Sequence, residues 1–238
     1  MKKHLCLLVF LTVIIASLLA WLMKPRSVQE QIIQGRPISH WVKDVEMGGF
    51  PDKNDPPAFD VLVTEGPGIM PDLSRLLLAA DSPKDNAFKI FRGLIPDEKK
   101  IIYENQSEIL ALKANAAWIM SAIAYQNPNA SEVRASVPSF ISALESSSRF
   151  VRSFSAQGLG AIGQGASNAI PHLISATKAE DSSTRMSAVE ALGRIGINTP
   201  LVIKTLNGAT ADASNDVSVT AVQALVKLQN PTSNLLEK

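Results

Sequence analysis

The feature that most limits what this chain can fold into is a repeat with a fixed period. Arg152 recurs as Arg185, 33 residues later. Ser155, Ala188 and Ala221 form one column at this spacing, Leu159, Leu192 and Leu225 another, and Ile162, Ile195 and Leu228 a third. Gly160–Gly193 and Gly163–Gly196 keep the same step. Self-similarity at 20 to 50 residues marks a solenoid, in which each unit buries its apolar face only against its neighbours. The best-preserved copy is Arg149 to Asp181, two short amphipathic helices joined around Gly163 and Gly165.

The second helix of each unit carries its own marker. Pro71, Pro138 and Pro171 share one register, in Met70-Pro71-Asp72-Leu73, Val137-Pro138-Ser139-Phe140 and Ile170-Pro171-His172-Leu173. Proline fits the first turn of a helix, where its missing N–H has no partner to lose. Three prolines in that register therefore mark homologous helix starts. The spacing predicts first helices over 108–125, 183–195 and 216–228, with second helices over about 68–78, 167–178 and 200–208. Lys113 aligns with Arg152 only at a spacing of 39, and one insertion in Gln126–Ser136 accounts for the extra residues. The last second helix departs from the pattern, since Lys204 stands where proline is expected. Residues 81–105 interrupt the period, as an exposed insertion or a specificity loop.

Leu5 to Met23 is apolar apart from Thr12 and Ser17, between Lys2-Lys3 and Lys24-Pro25-Arg26. As a helix it spans about 28 Å, close to a hydrocarbon core of about 30 Å. Residues 1–26 are read as a signal anchor that stays in place, or as a cleaved secretory signal. Leu18 and Trp21 at the best cleavage positions favour the anchor. Either way the remainder is expected across a membrane, periplasmic or otherwise extracytoplasmic. Residues 27–57 are expected to be a linker and a short capping helix, with Ser39 as N-cap and Trp41, Val42 and Val45 on one face. The repeats are expected over 58–228 and a polar tail over 229–238.

Composition excludes several function classes. The 23 basic and 22 acidic residues leave no electrostatic footprint for nucleic acid. Cys6 is the only cysteine, so no intrachain disulfide or cysteine-based zinc site is available. The histidines are His4, His40 and His172, none beside a ligand or triad pattern, and no metal or cofactor is expected. Asp52, Asn54 and Asp55 lack the register and closing carboxylate of a calcium loop. Gly158-Leu159-Gly160-Ala161-Ile162-Gly163 spells G-x-G-x-x-G, but inside a repeat helix with no strand before it. Its glycines read as packing and C-cap positions.

In these columns the chain resembles HEAT-like repeats, above all the short variety of phycobiliprotein lyases. The pattern stands here as Arg152, Ser155-Ala156, Leu159-Gly160, Ile162-Gly163 and Ala169-Ile170-Pro171-His172-Leu173, and again through Arg185 to Gly196. Gln34 to Trp41 is similar, more loosely, to the lead-in of some exported bacterial repeat proteins. The resemblance implies an all-α, right-handed solenoid of about four to five helical hairpins after the N-terminal hydrophobic helix. It also implies a non-enzymatic scaffold that binds a protein or peptide partner, with a chromophore-lyase or lyase-accessory role as the alternative. Acids often precede the repeat arginine in this family. Ser146-Ser147-Ser148 precede Arg152 here, so no continuous acid–arginine ladder is expected.

In such solenoids the second helices line the concave face. Val137, Phe140, Ile141 and Leu144 follow the buried spacing of a helix, and Ile170, Leu173 and Ile174 repeat it. The positions left outward form two columns: Asp72, Ser139, His172 and Lys204, then Arg75, Ser142, Ser175 and Gly208. Asp72, Arg75, Ser139, Ser142, His172, Ser175 and Lys204 are thus the candidate protein-binding surface. Small polar residues of mixed charge suit a polypeptide better than a phosphate backbone.

Overall fold

A computed structural model describes residues 30–45, 58–79 and 108–229. The hydrophobic segment 5–23, the loop 46–57, the insertion 81–105 and the tail from 230 lie outside the described residues. No described helix is long and apolar enough to cross a membrane.

The unit that begins at Gln31 opens with a hairpin that periodicity did not reveal. Strand β1 (Ile32–Ile33) pairs antiparallel with β2 (Arg36–Pro37). Gln34 and Gly35 both take positive φ, as a two-residue primed turn requires. Helix α1 (Ile38–Lys43) follows at once, with Pro37 rather than Ser39 at the N-cap. The Trp41 Nε1–H donates to the Ile33 carbonyl at 2.9 Å, tying α1 to the hairpin. Arg36 reaches from β2 over the Trp41 ring at 4.7 Å and pairs with Asp44 at 2.5 Å.

Helices then come in pairs. The first hairpin is α2 (Ala58–Glu65) and α3 (Met70–Leu77), joined by the 3-10 turn Gly66–Ile69. The second is α4 (Glu108–Gln126) and α6 (Val137–Ala143), with the one-turn helix α5 (Ser131–Ala135) between them. The third is α7 (Arg149–Ile162) and α8 (Ile170–Ala176), linked by the 3-10 segment Gly163–Ala169. The fourth is α9 (Ser182–Ile195) and α10 (Pro200–Ala209). Helix α11 (Asn215–Gln229) is a first helix with no described partner after it. Pro71, Pro138 and Pro171 lie in the first turn of their helices, as the shared register required, and Pro200, outside that register, starts the last second helix in the same way.

The first helices α4, α7, α9 and α11 stack in chain order, and each of α3, α6, α8 and α10 packs on the first helix of the next unit. The core between them is thin and built from small residues. A Cβ on Gly160 would lie 2.9 Å from the Ala191 Cα, and one on Gly193 would lie 2.7 Å from the Ala224 Cβ. The two glycines therefore let consecutive first helices meet almost backbone to backbone. On Gly158 a Cβ would come within 2.5 Å of the buried Phe140 ring. The residues that spell a nucleotide loop are thus packing positions. Gly196 closes α9 in the left-handed conformation.

Helix α1 lies against the first helices of the stack. Ile38, Trp41 and Val42 are buried, and α1 packs on α2 and α4. The Asn115 amide, buried on α4, donates to the carbonyls of Val42 at 3.0 Å and Val45 at 2.7 Å. The Val42 carbonyl belongs to the last turn of α1, where helical acceptors lack intrahelical donors, and Val45 lies just past the C-cap Asp44. Phe59, Trp118 and Phe154 continue across α2, α4 and α7 as stacked rings, 4.2 and 6.0 Å apart.

Candidate functional site

The second helices are short because proline fixes where each begins and a turn back to the next first helix fixes where it ends. Their outward residues fall largely where the helical spacing puts them. Arg75, Ser142, His172, Ser175 and Lys204 are exposed, and Ser139 is half-buried. Asp72 departs from the expectation of an exposed rung: it is only 8% exposed. Arg75, one turn on, pairs with its carboxylate. Helix α5, which the spacing treats as loop, packs against the same helix α3. The first rung of the predicted column is therefore a covered ion pair rather than an open carboxylate.

His172 and Ser175 are brought together on α8, where they line a pocket of about 180 Å³. Leu144 and Glu145 form its wall at the end of α6, and Arg152 and Thr184 contribute from α7 and α9. Ser142, on the last turn of α6, and Lys204, on α10, lie outside it.

Arg152 is buried beside this pocket with most of its donors used. Its Nη1 donates to the carbonyls of Ser146 at 2.6 Å and Ser147 at 3.0 Å. Its Nη2 donates to Asp181 at 2.5 Å and its Nε to the Thr184 hydroxyl at 3.3 Å. Asp181 is also the N-cap of α9, accepting from the Thr184 backbone N–H at 2.7 Å. Burial pushes the Asp181 carboxyl up, but the Arg152 hydrogen bond and charge, with the Thr184 contacts, outweigh it and hold the group below its ordinary range. The one arginine that lines the pocket is thus already neutralised by Asp181.

The same device recurs one unit on. Arg185 donates bidentately to Asp212, both contacts at 2.8 Å, and its Nη1 donates to the carbonyls of Ala179 and Glu180. The Arg185 hydrogen bond is the largest influence on Asp212 and lowers its carboxyl pKa despite burial. The acid–arginine ladder judged absent from the sequence is therefore present over two rungs. Each arginine takes its acid from the following unit rather than from the residues before it. Three serines upstream of Arg152 thus break nothing: two of them supply backbone carbonyls instead.

A second concavity, of about 170 Å³, lies between α9 and α11 and was not foreseen. Glu190, Arg194, Gln223 and Lys227 line it. Arg194 pairs with Glu190 at 2.8 Å and lies 4.7 Å over the Tyr125 ring. The four-residue spacing of Glu190 and Arg194 was the available signal. Burial raises the Tyr125 hydroxyl pKa against the opposing charge of Arg194. No group of three or more His, Cys, Asp or Glu able to hold a metal occurs among the described residues.

No curated protein matches the chain. A crystal structure of an engineered protein from a structural genomics consortium is similar over 80% of this chain and 78% of its own, at 15% identity and a TM-score of 0.45. Residues 137–226 match the family described as HEAT repeats. That span runs from the start of α6 into the last turns of α11 and includes both arginine–aspartate rungs, so these hairpins are HEAT-like repeats.

Proposed function

We propose that the chain is a non-enzymatic scaffold that holds a protein or peptide partner along the second helices α6, α8 and α10, the concave side of a right-handed solenoid. The observation that carries this reading is the pocket beside His172 and Ser175. Its buried charges satisfy one another, so its rim offers directional polar contacts and an apolar wall at Leu144. Such a surface suits a polypeptide, whose amides and small side chains need local partners rather than a strong field. The HEAT-like match over the same helices supports the reading, because stacked helical hairpins present extended binding surfaces.

The proposal extends to the address. Residues 5–23 would anchor the repeats to a membrane, with the solenoid on the extracytoplasmic side. N-terminal sequencing of the mature protein tests this, and a start near Trp21 would replace the anchor by a cleaved signal.

For the scaffold, crosslinking and mass spectrometry in the native host would identify the partner. Capture is then compared for His172→Glu, Ser175→Arg and Lys204→Glu. Loss of capture with an unchanged melting curve is the expected result. Undiminished capture by all three variants would reject this surface. Specific transfer of a pigment to an acceptor protein would overturn the scaffold reading in favour of the lyase alternative.

A further inference from the structure

The ion pair near the end of α9 recurs one unit on with its acid removed. Arg194 pairs with Glu190, four residues before it, and carries its guanidinium over the Tyr125 ring. Its stem passes Gly160, where a Cβ would lie 3.4 Å from the Arg194 Cδ. One period later, Gly193, Gln223 and Lys227 stand in the places of Gly160, Glu190 and Arg194. Gln223 keeps the length of glutamate and loses its charge. Lys227 is half-buried, and no carboxylate among the described residues pairs with it.

Both pairs line the concavity of about 170 Å³ between α9 and α11. Gly193 and Ala224 are buried and give it an apolar floor. The Thr220 hydroxyl is spent on the Asp216 carbonyl, to which it donates at 2.7 Å. Arg194 and Glu190 neutralise each other, so Lys227 leaves one uncompensated positive charge. A cation partly withdrawn from water gains most from an opposite charge brought to it. The standing Glu190 carboxylate repels a dianion, which favours a carboxylate over a phosphate. The volume lies below the roughly 300–1,000 Å³ of sites that enclose a free small molecule, and suits one inserted side chain.

We propose that the concavity between α9 and α11 receives a glutamate or aspartate side chain of a polypeptide partner, its carboxylate held by Lys227 and the terminal nitrogens of Arg194. Glu190 already occupies the Arg194 Nε and fixes the guanidinium in place. Hydrogen bonds between ionised groups are the stronger kind, and two donors on one carboxylate add direction. The methylenes of the incoming side chain rest on Gly193 and Ala224, and the Gln223 amide serves the peptide backbone beside it. The pocket lies on first helices and shares no residue with the second-helix surface proposed above.

Titration of the full chain with glutamate capped at both ends as amides tests this, read by NMR at the Arg194 Nε–H and the Ala224 backbone N–H. The expected result is a saturable shift at both, with affinity at least about fivefold above that of the equally capped glutamine. Gln223→Glu restores the acid of the preceding unit and should close the site, lowering affinity at least about fivefold, and Lys227→Gln should do the same. Lys178→Gln removes an equal charge outside the pocket and should change nothing. Absence of a saturable shift, equal affinity for the glutamine probe, or unchanged affinity in Gln223→Glu would each overturn the proposal. An equal loss in Lys178→Gln would reduce it to a general charge effect and overturn it too. Acetate binding as tightly as the capped glutamate would assign the pocket to a free carboxylate and overturn the polypeptide source, and tighter binding of inorganic phosphate would overturn the carboxylate.

Discussion

Replacing Gly193 by alanine sets two known effects against each other. In the interior of a helix the change gains roughly 0.8–1 kcal/mol of propensity, because glycine orders more backbone freedom than alanine. At this position the new methyl would meet the Ala224 Cβ at 2.7 Å and the Ala224 Cα at 3.0 Å. Real Cβ atoms do not approach so closely, so α9 and α11 must separate along their contact. Overpacking of this kind costs about 1–3 kcal/mol. The clash involves backbone on both sides and cannot be relieved by a rotamer change, which places the cost toward the upper end. The net expectation is a loss of about 1–2 kcal/mol. Gly208 on α10 is the control, since a Cβ there meets nothing within 4 Å and its replacement by alanine should leave stability unchanged or raised by up to about 1 kcal/mol. Ala224→Gly in combination with Gly193→Ala reopens the space and should show a coupling of at least about 1 kcal/mol in a double-mutant cycle. Urea unfolding followed by circular dichroism and tryptophan fluorescence supplies the free energies. If Gly193→Ala stabilises as much as Gly208→Ala, the close approach of the first helices is not what selects glycine in this column.

Four further outcomes follow from the buried polar groups. Arg152→Met leaves Asp181 buried without its main partner and should cost about 3–5 kcal/mol; a loss under 1 kcal/mol in the same unfolding assay would remove Arg152 from the inter-unit contact. Because the folded pKa values of Asp181 and Asp212 are depressed, their stabilisation is complete above the unfolded value near 3.8 and is lost as pH falls through the folded values; Asp181→Asn with Asp212→Asn should flatten that acid limb of the stability curve, and an unchanged slope would refute it. Asn115→Leu strips the carbonyls of Val42 and Val45, at and just past the end of α1, of their donor and should cost about 1–3 kcal/mol while speeding hydrogen exchange at residues 38–45; unaltered exchange there would deny Asn115 its role in holding the N-terminal cap. Ser155 has a buried hydroxyl with no hydrogen-bond partner, in a column that holds alanine at Ala188 and Ala221, so Ser155→Ala should be neutral or stabilising by differential scanning calorimetry.

The architecture was legible because a repeat states the same constraint several times. One proline starts a helix ambiguously, but Pro71, Pro138 and Pro171 in one register leave little freedom. The bounds of α4, α9 and α11 fall within a residue or so of those expected. What escaped was set by contacts between units rather than within them. The hairpin β1–β2 is two residues per strand, too short for any period, and only Gln34-Gly35 marked its turn. Helix α5 was hidden inside an insertion defined by the residues it displaced. Asp72 sits correctly in its column, yet the column's exposure depends on what packs beside α3. The ladder was missed for a related reason. The acid for Arg152 was sought in the residues before it, while its partner is 29 residues later.

That partnership changes what counts as one module of this protein. The period can be cut anywhere, but cuts differ in which bonds they sever. A block from Arg152 to Thr184 carries the guanidinium, both serine-independent ends of its reach to Asp181 and Thr184, and the start of the next unit. A block cut at the helical hairpin, Arg149 to Glu180, separates the arginine from its carboxylate. Lengthening or shortening the stack by whole periods preserves the electrostatics only when each added arginine arrives ahead of an acid supplied by its successor. The ladder therefore has a direction. On α11 the arginine position is held by Ser218, so among the described residues the ladder stops at Arg185 and Asp212. In a stack of this type, an arginine without a downstream acid would then mark, from sequence alone, a unit whose successor has been removed.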